Sequence, residues 1–189
     1  MGRSELGIHP ILNERYSVRT FSDREVSENE LELVLEAARW APSSYNEQPW
    51  RFLVTRRGGE GHAAMMEALL PGNRKWAEQA PVLILNMASH TLAYNGEQNF
   101  HSWHDLGLAL GQLTAQATAL GLGLNMIGGF NAESARKAFS IPATLDLVSV
   151  LALGFSNDSA NEADVNAWRA RRSVRKPLSE IVSYGRFTG

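Results

Sequence analysis

Two apolar runs limit what this chain can fold into more than any other feature. "PVLILNM", Pro81 to Met87, is short, unbroken and bounded by turn residues. "LDLVSVLALGF", Leu145 to Phe155, is longer and equally apolar. Runs of this kind read as buried strands, so the chain must build a sheet and cover it. "WRFLVT", Trp50 to Thr55, alternates and supplies another strand. "LNMIGGF", from Leu124, is a strand running into a glycine pair.

Helical patterns separate these strands. Ile8 to Arg15 reads as a short helix, with Pro10 tolerated in its first turn. Ser27 followed by Glu30 is a capping box, and Leu31, Val34, Leu35 and Ala38 form the apolar face of the helix it opens. Pro42 stops that helix. Glu60 to Leu70 reads as a helix ended by Pro71-Gly72. The longest helix covers His101 to Leu120, with Leu106, Leu110, Leu113 and Ala117 in register and Gly121 as its stop. Asn131 caps a short helix to Phe139. Helices and strands alternate without a strict βα rhythm, which predicts an α+β fold: a sheet with helices around it.

The 189 residues suit a single domain covering 1–189. Apolar residues are 44% and charged residues 20%, as in ordinary globular proteins. The net charge of −2 gives no basic excess for nucleic acid. The most apolar run is far short of the roughly 20 residues needed to span a bilayer. "MGRSELGIHP" has no signal-type apolar stretch, and Leu6 stands where a myristoylation motif wants Ser or Thr. A cytoplasmic location is expected. With no cysteine, there are no disulfides, thiolate zinc sites, dithiol centres or cysteine nucleophiles. If this protein moves electrons, a bound cofactor carries them.

"RYSVRTF" puts Arg15, Ser17 and Arg19 at alternate positions, so in an extended segment they face one side. Two guanidiniums and a hydroxyl suit a phosphate; the alternative is a solvated edge that pairs with Glu14 or Asp23. A second basic group, Arg171, Arg172, Arg175 and Lys176, lies in the tail and runs into the docked-looking "LSEIV". The two groups are expected to converge on one phosphate. "APSSYNEQPW" offers Ser43, Ser44, Asn46 and Gln48 between two prolines, more polar side chains than a connecting turn needs. Gly128-Gly129 lets a flat ligand approach and frees backbone donors, or forms a strand-end bulge. "GLGLNM" lacks the third glycine of a dinucleotide turn and precedes a strand, so no such site is expected. His101, His104 and Asp105 make half a metal site, but His9, His62 and His90 are scattered and no metal is expected.

"RYSVRTF", "APSSYNEQPWRF", "GLGLNMIGGF" and "RKPLSEIV" stand in the order and spacing of the FMN-dependent nitroreductase family, which the chain resembles from about Ile11 to Val182. The resemblance implies a central mixed sheet flanked by helices, an intertwined homodimer, and FMN at the interface. It implies that Arg15 and Ser17 contact the phosphate, Arg19 lies by the flavin N1/O2 edge, and Arg175 closes on the phosphate. Pro42, Ser43, Ser44 and Asn46 match the loop given by the other subunit, and Asn73 an amide reading the pyrimidine edge. Gly128 and Gly129 match the pair whose backbone lies near N5; several members carry Glu at the Gly128 position. The tail, about 156–189, docks on the partner. The implied activity is hydride transfer from NAD(P)H to nitroaromatics, quinones or similar flat acceptors in a ping-pong scheme. Flavin fragmentation, dehalogenation or simple flavin storage are the alternatives. "SHTLAYNGEQNFHS", Ser89 to Ser102, matches no flavin motif and reads as a long connection without structure of its own. It is expected to line the acceptor pocket, with Tyr94 and Phe100 as stacking surfaces, or else to be a solvent loop or dimer contact.

Overall fold

A computed structural model describes residues 6–157 and 175–187. Four strands form its sheet in the order β1-β2-β4-β3. They are β1 (Trp50–Arg56), β2 (Val82–Ser89), β3 (Gly123–Ile127) and β4 (Leu145–Gly154). All three pairings between them are antiparallel. The expected mixed character enters through one parallel bridge, Ser17 to Leu124, on the free edge of β3.

The two apolar runs became the two central strands. β2 is buried on both faces, as its unbroken hydrophobicity demands. Val82, Ile84, Leu151 and Leu153 face one core, covered by α2 (Glu28–Arg39) and α5 (Ser102–Ala119). Leu83, Leu85, Val150 and Ala152 face the other. That side is covered by α3 (His62–Ala68), α4 (Pro71–Ala77) and α6 (Ala132–Ala138). Leu113, on the buried stripe of α5, has no exposed surface. Truncating such a leucine to Ala costs about 2–5 kcal/mol.

The helix signals act as the sequence predicts at most ends. The Ser27 hydroxyl accepts from Glu30 N at 3.2 Å, while the Glu30 carboxylate accepts from Ser27 N at 2.8 Å. α5 ends in a left-handed Gly121 (φ +73°), with Leu122 N–H donating to Ala117 O at 2.8 Å, the arrangement that satisfies a helix's last carbonyls. One reading fails. Pro71-Gly72 does not only end a helix: Pro71 also opens α4. Proline loses nothing at a first helical position, where its missing N–H would have no intrahelical partner. α1 is shorter than expected, Pro10–Glu14. Among the described residues no helix is long and apolar enough to cross a membrane.

Candidate functional site

Arg15 leaves α1 in an extended conformation (φ −64°, ψ 128°). Val18, three residues on, is 1% exposed and packs into the core against β3. That approach requires glycine at 123, where a Cβ would lie 2.5 Å from Val18 Cγ2. The seam is fixed by Val18 N–H donating to Leu124 O at 3.0 Å and Asn125 Nδ2 donating to Val18 O at 2.9 Å. Tyr16 packs on the same core and shares a 2.7 Å hydrogen bond with Ser156 Oγ. Core-facing Tyr16 and Val18 leave Arg15, Ser17 and Arg19 on the opposite side.

Burial pushes the Arg15 guanidinium pKa down, and the charge of Arg175 pushes it further the same way. Arg15 and Arg175, 160 residues apart in sequence, therefore lie within electrostatic reach of each other. Asp23, a proposed partner for the arginines, instead lies 3.6 Å from Arg57. Among the described residues no carboxylate contributes to the Arg15 shift. Lys176 lies 3.8 Å from Glu180, and Arg171 and Arg172 fall outside the described residues.

The glycine pair follows β3. Asn73, on the unforeseen α4, donates from Nδ2 to Gly129 O at 3.0 Å, beside Leu70 N–H at 3.1 Å. A Cβ at 129 would lie 2.5 Å from Asn73 Nδ2, whereas one at 128 would meet nothing within 4 Å. Trp76, one turn along α4, has its ring 5.4 Å from the Arg19 guanidinium carbon, within cation–π range. α4 thus links the arginine segment to the glycine pair. Trp76 carries no signal of this role in the sequence, where Pro71-Gly72 reads only as the end of the preceding helix.

The loop before β1 is locked in an unusual shape. Tyr45, Asn46 and Gln48 all have positive φ (52°, 58° and 48°), a conformation uncommon for residues other than glycine. Ser43 Oγ accepts from Gln48 N at 3.0 Å, and Glu47 Oε2 accepts from Ala93 N at 2.8 Å. Ser44 N–H donates to Asp105 Oδ2 at 2.9 Å. Pro42 and Asn46 are exposed. Asp105 also has Oδ1 2.9 Å from His104 Nδ1. Among the described residues no group of three or more His, Cys, Asp or Glu side chains is arranged to hold a metal.

The segment Ser89–Ser102 is not structureless, contrary to expectation. Thr91 and Gln98 form an antiparallel bridge, and Leu92 N–H donates to Glu97 O at 2.7 Å. Asp146 of β4 holds its two ends, with Oδ1 3.3 Å from His90 Nδ1 and Oδ2 accepting from Trp103 Nε1 at 2.7 Å. Tyr94 and Phe100 project from this fixed base, 67% and 79% exposed.

Ser17 bridges Leu124, which lies opposite Leu153, then Val82, then Arg56 at the far end of β1. The 42–48 loop joins the other end of β1, at Trp50. Four interstrand steps are about 19 Å and six residues of strand about 20 Å. Arg15 and Ser17, with Arg175, thus lie towards one corner. Arg19 leads along the edge of β3 to Gly128, Gly129 and Asn73, which follow Ile127; Ile127 is level with Val150, Leu85 and Leu53, so they lie towards the loop's end of the sheet but on its opposite edge. Pro42, Ser43, Ser44, Asn46, Tyr94 and Phe100 lie on the β1–β2 side of that end.

A sequence model of the Nitroreductase family matches residues 12–75 and 60–155. The chain is 33% identical over 157 residues to an Archaeoglobus fulgidus protein provisionally named NADH dehydrogenase/NAD(P)H nitroreductase, covering 79% of this chain and 87% of that one. It is 29% identical over 164 residues to the FMN reductase (NAD(P)H) of Bacillus subtilis, covering 78% and 65%. The crystal structure of an oxidoreductase containing FMN superposes with a TM-score of 0.88 at 32% identity, covering 99% of this chain and 96% of that one.

Proposed function

Since the chain belongs to the Nitroreductase family, we propose that it is an FMN-dependent oxidoreductase that uses NAD(P)H to reduce flat acceptors such as nitroaromatics and quinones. The observation that carries this reading is the one-sided Arg15, Ser17 and Arg19 segment docked on β3, with the Arg175 charge within electrostatic reach of Arg15. Two guanidiniums in a partly buried corner repel each other, and an anion turns that repulsion into attraction. A phosphate monoester is the anion that also uses the adjacent Ser17 hydroxyl. The donor set therefore fits the FMN phosphate, and Asn73, held through Nδ2 to Gly129 O, keeps its amide oxygen for a hydrogen-bonding ring.

Bound FMN supplies the hydride-accepting chemistry that no side chain of this chain can. Arg15, Ser17 and Arg175 hold its phosphate. Arg19, steadied against Trp76, sets a fixed positive charge at the N1/O2 edge, where preorganised charge is worth most in a water-poor site. Asn73 reads the pyrimidine edge, and Gly128 and Gly129 present backbone near N5. Pro42, Ser43, Ser44 and Asn46 of the partner subunit complete the site, because within one chain they lie across the sheet from Arg15 and Ser17. A homodimer accounts for that geometry and for the tail, where Leu178, Ile181, Tyr184 and Phe187 are all more than half exposed. Donor and acceptor take turns in one slot, so initial-rate plots at several acceptor concentrations are parallel. Tyr94 and Phe100 lie with the loop and shape the acceptor side.

The decisive experiment is an absorption spectrum of the purified protein, followed by anaerobic titration with NADH and NADPH and then addition of an acceptor. A flavin spectrum that bleaches with nicotinamide and returns with acceptor is expected. A flavin that neither nicotinamide bleaches would make this a flavin-binding protein, and no flavin at all would remove the reading.

A further inference from the structure

Asp105 is a carboxyl group buried to 1% exposure in the first turn of α5. Burying such a group is costly unless it is hydrogen-bonded, so its partners indicate its purpose. Helix capping does not explain it. The N–H of His101, at the start of α5, is taken by Asn99 Oδ1 at 3.0 Å. One Asp105 oxygen stays within the helix, 2.9 Å from His104 Nδ1. The other leaves it and accepts the N–H of Ser44 at 2.9 Å, in a loop distant in sequence.

That loop needs an external anchor. Three non-glycine residues within four positions have positive φ, and such conformations persist only where surrounding contacts over-determine them. The bond from Gln48 N–H to Ser43 Oγ is internal to the loop. The bond from Glu47 reaches Ala93, itself in a surface hairpin. Among the described residues, Asp105 alone hydrogen-bonds the loop to a long, core-packed helix. It does so through backbone, which leaves the Ser44 hydroxyl for a ligand.

We infer that Asp105 is a positioning residue that holds the Pro42–Asn46 loop in the shape that receives FMN across the subunit interface. This rests on the flavin reading above, since it assigns a support to that site's loop. Asp105 touches neither cofactor nor acceptor and acts only through Ser44.

The test compares FMN dissociation constants and melting temperatures of purified Asp105→Ala, Asp105→Asn and Leu113→Ala proteins. Asp105→Ala should weaken FMN about tenfold or more, the scale of a lost hydrogen bond to a charged group. Asp105→Asn keeps an oxygen for Ser44 N–H and turns its amide to His104, so it should stay within about threefold of the parent. Leu113→Ala loses core contacts on the same helix, and should lower the melting temperature without moving the FMN constant. Should Asp105→Ala not fold, Asp105→Ser, too short to reach Ser44, takes its place. If the alanine or serine variant binds FMN like the parent while Arg15→Gln does not, Asp105 has no such role and the flavin reading stands. Equal weakening by Leu113→Ala would reduce Asp105 to general stability and overturn the inference. A parent protein that binds no FMN overturns both.

Discussion

Arg15→Gln should have opposite effects on the empty and the loaded protein. Burial and the neighbouring Arg175 both lower the Arg15 pKa, so its charge costs the empty folded state stability at every pH where it is protonated. Removing the charge should leave the flavin-free melting temperature unchanged or raised. With a phosphate present the sign reverses. A hydrogen bond to a charged group contributes about 1.5–3 kcal/mol, so losing one weakens FMN about tenfold to 150-fold. The assay is an FMN titration followed by fluorescence quenching at low and high salt, with thermal unfolding of both forms. Salt should weaken the parent's affinity more than the variant's, because one charge pair fewer is left to screen. Arg15→Gln that binds FMN as tightly as the parent refutes the phosphate assignment. Equal destabilisation of empty and loaded protein would show that Arg15 serves the fold instead.

Three further outcomes are expected. Gly129→Ala should displace the Asn73 amide, which a Cβ would approach to 2.5 Å, and lower stability by about 1–3 kcal/mol; Gly128→Ala, with open space around it, should leave the empty protein's melting temperature unchanged. Glu36, hydrogen-bonded by Arg39 and then Trp40, has its pKa drawn from 4.5 down to about 2. Its folded value lies below its unfolded one, so its stabilisation is present above about pH 4.5 and lost as pH falls towards 2; Glu36→Gln should flatten the melting temperature across that window. Replacing Tyr94 and Phe100 by Ala should change kcat/KM across a panel of nitroaromatics and quinones while FMN content holds; an unaltered panel would remove this segment from the acceptor site.

The features written in local chemistry were legible. Ser27 and Glu30 announced their capping box, Gly121 its helix end, and Pro81–Met87 a strand buried on both sides. The extended 15–19 segment was legible as a one-sided cluster because alternation follows from backbone geometry alone. What failed was punctuation with two meanings. Pro71 both follows one helix and begins another, and only the second meaning carries Asn73 to Gly129 and Trp76 to Arg19. The 89–102 segment looked structureless because its order comes from remote groups, Asp146 and Glu47, which no local pattern reveals. Asp105 was weighed as half a metal site beside His104; its true partner is a backbone N–H in a loop distant in sequence. The approach of Arg175 to Arg15 was expected from charge, but only the fold could bring the tail back to the first helix.

The separation of the Arg15–Ser17 segment from the 42–48 loop across the sheet has a genetic consequence. In the proposed dimer each flavin site takes the arginine segment of one chain and the loop of the other. Take one chain with Arg15→Gln and another with Asp105→Ala, each poor at holding FMN as a pure dimer. In the mixed dimer both lesions fall on one site, and the other site inherits an intact arginine corner and an intact loop. Co-expressing the two damaged genes should therefore restore up to about half of the parent's sites in each mixed molecule. Two alleles that both damage the arginine corner should restore none.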